Sequence, residues 1–206
     1  MTNCLFFGDS ITYGEYDGIL GGWVDNLKRY CHSRYCNDNS KEVSIFNLGI
    51  GGETTEGLIK RFDVEFSARK SPFDNLIFLS YGVNDLAIND NVQIVSKEQY
   101  KKNLQNVIRK AKEATEKIFL ISILPISSKI DGVISSTGKF RTIKAIQEYN
   151  EVLKNLAKEN GLEFIDTYSV FFDTKEDNLS KDSVHPNEKG YQLISEIIKS
   201  IIEKYL

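Results

Sequence analysis

Cys4-Leu5-Phe6-Phe7 runs straight into Gly8-Asp9-Ser10-Ile11-Thr12 near the start of the chain. The first four residues are apolar without alternation. A strand with one wet face alternates polar and apolar side chains, so an unbroken run suits a strand covered on both faces, as in a parallel sheet. Outward from it, similar short runs rich in Ile, Phe, Leu and Val recur at Val43–Leu48, Leu76–Tyr81, Ile118–Ile123 and Glu163–Ile165. Longer stretches with helical spacing lie between them. Tyr100, Leu104, Val107, Ile108 and Ala111 follow the spacing of one helical face, and Ser96-Lys97-Glu98-Gln99 reads as a capping box that opens it. Ile143, Ile146, Leu153, Leu156 and Ala157 mark a second helix that Gly161 would stop. Tyr191, Ile194, Ile198 and Ile201 mark the last, with Pro186 near its first turn. Helices also fit near Trp23–Tyr30 and Leu58–Phe66. Such alternation predicts an open, doubly wound α/β sheet with helices on both faces. Ser127–Lys139, rich in Ser and Gly, interrupts it and reads as a surface loop or a lid.

Composition narrows the function. The chain has 206 residues, 41% hydrophobic and 27% charged, with a net charge of -3. That is enough for one domain with a substantial core, and residues 1–206 are expected to form a single domain, since no linker, repeat or low-complexity tract divides them. A slightly acidic chain gives no reason to expect nucleic acid or an anionic membrane as partner. No run approaches the roughly 18 apolar residues of a membrane span. The N-terminus lacks a basic region followed by a long apolar one, so the expected address is cytoplasmic, the alternative being a signal peptide already removed. Cys4, Cys31 and Cys36 are too few for a disulfide framework. Cys31-His32 with Cys36 fits no common zinc spacing, and a plain helix is the simpler reading. No metal and no organic cofactor is implied.

In open α/β sheets, ligands bind beyond the carboxyl ends of the strands, so the residues just after each run carry the chemistry. The last such segment holds Asp182-Ser183-Val184-His185-Pro186. His is the side chain best suited to act as a base near neutral pH, and the chain has only two. His32 sits in a predicted helix with no acid at a useful spacing. Asp182 precedes His185 by three residues, which lets the carboxylate reach Nδ1 on a turn. A surface Asp and a helix-capping His are the bland alternative. Ser10 follows the first strand on a glycine-containing turn that can present its hydroxyl; alone it would equally pass for a helix N-cap. The elbow G-x-S-x-G of α/β-hydrolases is absent, because position 12 is Thr. Gly52 can bring a backbone N–H close to a substrate, and Asn84 offers a side-chain amide. Gly49-Ile50-Gly51-Gly52 departs from the dinucleotide pattern, since position 54 is Thr and the cluster follows the second strand. Asn84-Asp85 alone would read as a turn.

Taken together, Gly8-Asp9-Ser10, Gly52 within Asn47-x-Gly49-x-x-Gly52-x-Thr54, Gly82-x-Asn84-Asp85 and Asp182-x-x-His185-Pro186 fall in order at successive strand ends. This arrangement resembles the SGNH, or GDSL, hydrolases over nearly the whole chain, with Ile11 where the family's name has Leu. The resemblance implies a three-layer α/β/α sandwich, flavodoxin-like, around a five-stranded parallel sheet of order 2-1-3-4-5. It implies a serine esterase with Ser10, Asp182 and His185 as catalytic residues, and an oxyanion hole from the Ser10 N–H, the Gly52 N–H and Asn84. Asp9 and Asp85 are expected to support their loops rather than carry protons. The expected partner is a small soluble or short-acyl ester. A thioesterase or carbohydrate acetylesterase using the same residues, and a non-catalytic binding module on the same fold, are the alternatives.

Overall fold

The computed structural model describes residues 1–206. In chain order its elements are β1 (Thr2–Gly8), α1 (Ser10–Tyr13), α2 (Trp23–Asp38), β2 (Val43–Gly49), α3 (Thr55–Arg69) and β3 (Asp74–Ser80). A two-residue ribbon follows, β4 (Ile88–Asn89) with β5 (Val92–Gln93), then α4 (Lys97–Ala111), β6 (Ile118–Ile121), α5 (Ile143–Asn160) and β7 (Glu163–Ile165). The chain closes with α6 (Thr167–Phe172), α7 (Lys175–Asn178) and α8 (Glu188–Ile202). The five expected runs all form strands. They make one sheet of order β2-β1-β3-β6-β7, every neighbouring pair parallel. Counting only these five, the order is the expected 2-1-3-4-5. No helix is long and apolar enough to cross a membrane.

Every residue of β1 is buried, as its unbroken apolar run requires. Register then builds the core. Phe6 lies opposite Phe78, and Phe78 opposite Phe119. Their rings stack across three strands with centroids 4.4 and 4.6 Å apart, and Trp23 of α2 meets Phe6 edge-on at 5.2 Å. The neighbouring Phe7 points to the other face and meets Phe62 of α3 at 5.0 Å. Alternate side chains of one strand therefore anchor helices on both sides of the sheet. Fully burying each such ring contributes about 1.5–3 kcal/mol.

Element ends depart from the sequence reading for local reasons. The fourth core strand stops at Ile121 rather than Ile123, because the Asn150 side-chain amide takes both the N–H and the C=O of Ile123. Ser96 does cap α4, accepting from the Gln99 N–H. The Gln99 side chain reaches forward to Asn103 instead of back, so only half of the box forms. Pro186 lies outside α8; Asn187 caps that helix, its side chain accepting from the N–H groups of Lys189 and Gly190. The segment Ser127–Lys139 is not a free loop. Ser127 and Ser128 are tied to Glu176, and Phe140 exchanges backbone hydrogen bonds with Ile88. The segment thus becomes a hydrogen-bonded flap standing beside the carboxyl end of the sheet.

Candidate active site

Ser10 begins α1, directly after β1. Asp9 caps that short helix by accepting from the Ile11 N–H at 2.9 Å. The helix can sit this close to the strand because Gly8 has no side chain: a Cβ there would lie 1.9 Å from Thr12 Oγ1. Thr12, the residue that excludes the G-x-S-x-G elbow, fills the space Gly8 leaves. At the first helical position the Ser10 N–H has no intrahelical partner.

His185 arrives from the loop before α8. Ser10 Oγ lies 2.7 Å from His185 Nε2, and His185 Nδ1 lies 2.5 Å from Asp182 Oδ2. The second Asp182 oxygen accepts from the N–H groups of Val184 and His185 and from the Ser180 hydroxyl. Burial opposes ionisation of Asp182, but these donors outweigh it and hold its carboxyl well below the usual range. The loop is tight: Ser180 N–H donates to the His185 carbonyl at 2.7 Å, and Ser183 adopts a left-handed φ of 68°. Tyr16, largely exposed, meets the His185 ring edge-on at 5.1 Å.

Gly52 and Asn84 come from the loops after β2 and β3, the strands that flank β1. Gly52 has φ 74°, where other residues are strained, and a Cβ on it would point into open space. Its loop is clamped by a partly buried network. Arg61 donates to both Glu53 carboxylate oxygens, to the Leu48 carbonyl and to the Tyr81 hydroxyl, and that hydroxyl donates to Glu53. Asn84 is buried. Its Nδ2 donates to the Glu53 carbonyl at 3.2 Å, while its Oδ1 accepts from Lys139 Nζ at 3.2 Å and from Arg141 at 3.4 Å. Both cations hold the carbonyl oxygen, and the NH₂ group, with two hydrogens and one hydrogen bond, retains one unengaged donor.

Ser10, Gly52, Asn84, Asp182 and His185 all line one cavity of about 340 Å³. Tyr16 and Val184 are its only hydrophobic lining residues, and Ser135, Ser136 and Thr137 of the flap form part of the wall. Asp9 and Asp85 do not line it. Asp85 Oδ1 accepts from the N–H and hydroxyl of Thr55, tying the β3 loop to the start of α3. Burial pushes the Asp9 carboxyl up to about 7 and the Asp85 carboxyl up to about 6. Cys31, His32 and Cys36 lie along α2 and line a separate pocket; they form no cluster of metal-ligating side chains. Sequence reasoning missed Lys139, Arg141, Tyr16 and the Glu53–Arg61–Tyr81 clamp. None has a local motif; Lys139, Arg141, Tyr16 and Tyr81 meet their partners across distant parts of the chain, and the eight-residue spacing of Glu53 and Arg61 carries no recognisable signal.

The chain resembles known proteins over nearly its whole length. Residues 6–193 match the GDSL-like lipase/acylhydrolase family. The chain is 24% identical to the spore germination lipase LipC of Bacillus licheniformis, over 94% of this chain and 92% of that protein. It is 22% identical to an acetylxylan esterase of Geobacillus stearothermophilus, over 93% and 89%. Among solved structures it superposes on a lipase/acylhydrolase from Enterococcus faecalis with a TM-score of 0.77 at 26% identity, covering 99% of this chain and 96% of that one. A member of the lipolytic G-D-S-L family from Veillonella parvula gives a TM-score of 0.75 at 25% identity, covering 99% and 100%. With the family's residues spanning nearly all of β1 to α8, this chain belongs to the GDSL-like lipase/acylhydrolase family and is a carboxylic ester hydrolase by class.

Proposed function

We propose that the protein is a serine esterase that hydrolyses small or short-acyl esters by two-step acyl transfer, with residues 1–206 acting as one domain. The observation that carries the reading is the hydrogen-bonded chain from Ser10 Oγ to His185 Nε2 and from His185 Nδ1 to Asp182. A serine hydroxyl is a weak nucleophile until a base takes its proton. In this reading His185 takes it as Ser10 attacks the carbonyl carbon. Asp182, kept ionised by its donors, holds the imidazole in the tautomer that leaves Nε2 free to accept, and stabilises the imidazolium. The carbonyl oxygen gains negative charge and is met by the Ser10 N–H, the Gly52 N–H and Asn84 Nδ2, all fixed before substrate arrives. His185 then gives its proton to the leaving alcohol, which departs and leaves an acyl-Ser10 ester. Water, deprotonated by His185, attacks that ester and releases the acid.

The preference for short acyl groups rests on the cavity, whose lining residues other than Tyr16 and Val184 are polar, charged or glycine. A carbohydrate acetylesterase is the second reading. It is favoured by the likeness to an acetylxylan esterase and by the exposed Tyr16 ring at the cavity wall, a surface on which a sugar ring can stack. A fluorophosphonate probe tests the shared mechanism. It is expected to label Ser10, and Ser10→Ala is expected to lose turnover on esters, thioesters and acetylated sugars while keeping its fold. Labelling of another serine, or full turnover by Ser10→Ala, would refute the assignment.

A further inference from the structure

Two cations enter the cavity without a carboxylate partner. Arg141 is buried; its Nε donates to the Val83 carbonyl at 2.8 Å and one terminal nitrogen to Asn84 Oδ1. Lys139 is half-buried, and its ammonium makes one hydrogen bond, also to Asn84 Oδ1. An amide oxygen is a neutral acceptor, so it orients these groups without neutralising them. Every nearby acid is otherwise engaged. Asp182 is saturated by His185, Ser180 and two backbone N–H groups, and Asp9 is buried on the Ile11 N–H. Glu15, the other acid lining the cavity, bonds to neither cation. A buried charge without a counter-ion is costly, and here two like charges share one acceptor. Burial, and for Lys139 the neighbouring charge of Arg141, pushes both groups' pKa values down; the Asp9 carboxyl, and for Arg141 also Asp182, opposes this from a distance without forming an ion pair, and the downward push wins.

We propose that Lys139 and Arg141 form a subsite for an anionic group of the substrate, a carboxylate or phosphate borne close to the ester carbonyl. The inference rests on the esterase reading, since it places the anion in the same cavity as the reacting ester. The missing counter-ion is then supplied by the substrate itself. Charge-assisted hydrogen bonds of this kind are roughly twice as strong as neutral ones. They correspond to a preference of roughly 10- to 100-fold over a neutral isostere.

Two matched ester pairs test it. Monoethyl succinate against ethyl succinamate places the charge on the acyl side; 2-acetoxyethyl phosphate against 2-acetoxyethanol places it on the alcohol side. Wild-type protein is expected to favour the charged member of one pair in kcat/KM, and that pair identifies the side bound. Lys139→Met should lower this ratio by roughly tenfold, Lys139→Arg should largely restore it, and added salt should weaken it. Any disturbance of Asn84 slows both members of a pair alike and cancels in the ratio. Calorimetric titration with succinate and with inorganic phosphate gives a readout that needs no turnover, and binding should weaken in Lys139→Met. If no ester is cleaved but such Lys139-dependent binding is found, the esterase reading falls and the anion subsite stands. Ratios near one in the wild type, or ratios and binding unchanged by Lys139→Met, would overturn the inference.

Discussion

Replacing Asn84 separates a group that holds a loop from one that stabilises a transition state. Its side chain makes one donor contact to the Glu53 carbonyl and accepts from Lys139 and Arg141. Asn84→Ala removes all three and costs about 1–3 kcal/mol of stability. For a chain of this length, each kcal/mol shifts Tm by about 2–4 °C. Under the proposed mechanism it also removes an oxyanion donor, a loss that typically costs on the order of 10²–10³ in kcat with little change in KM. Asn84→Asp makes the sharper case. A carboxylate keeps the shape and gains two cationic neighbours, so its Tm should match or exceed that of Asn84→Ala. It has no donor and repels the charge that forms in the transition state, so its kcat should be no higher than that of Asn84→Ala. Stability and rate should thus move in opposite directions between the two variants. Thermal melts and ester kinetics on the same preparations read both. An Asn84→Ala variant that melts early but turns over within about threefold of wild type once folded would refute the oxyanion role.

Three further outcomes follow from the geometry. His185→Ala should lose on the order of 10²–10⁴ in kcat, while His32→Ala, on the remote face of α2, should remain active; the reverse result would sink the pairing. Asp9 has a folded pKa raised to about 7, so between about pH 4 and pH 7 the native state binds a proton that the unfolded chain has released. Its contribution to stability therefore falls as pH rises through that window, and Asp85, raised to about 6, adds in the same direction. Urea midpoints at pH 4.5 and 7.5 should show Asp9→Asn gaining on wild type at the higher pH; an equal difference at both values would contradict the shift. Finally, Gly8→Ala drives a methyl into Thr12 and should cost about 1–3 kcal/mol, visible as a lowered Tm. Adding Thr12→Gly should recover part of it, and an unchanged Tm in Gly8→Ala would mean that α1 does not sit against the strand as described.

The parallel sheet was legible because burial on both faces leaves a local trace: Cys4–Phe7 and Leu76–Leu79 are apolar without alternation, and no distant partner is needed to read that. The Asp182–His185 contact was legible for the same reason, since three residues on one turn set the distance. Strand order was not carried by periodicity; it entered through the resemblance of whole motifs, and the sheet bears it out. What the tertiary structure alone decided are the contacts made where the strand-end loops and α3 converge. Lys139 meets Asn84 across 55 residues of chain, Thr55 meets Asp85 across 30, and Arg61 reaches Tyr81 across 20. Polar side chains in loops have no period, and their partners depend on where the chain turns in space. The spacing of apolar residues therefore determines which segments are buried, while the meeting of loops at the sheet's carboxyl edge determines which charges face the cavity and remain unpaired.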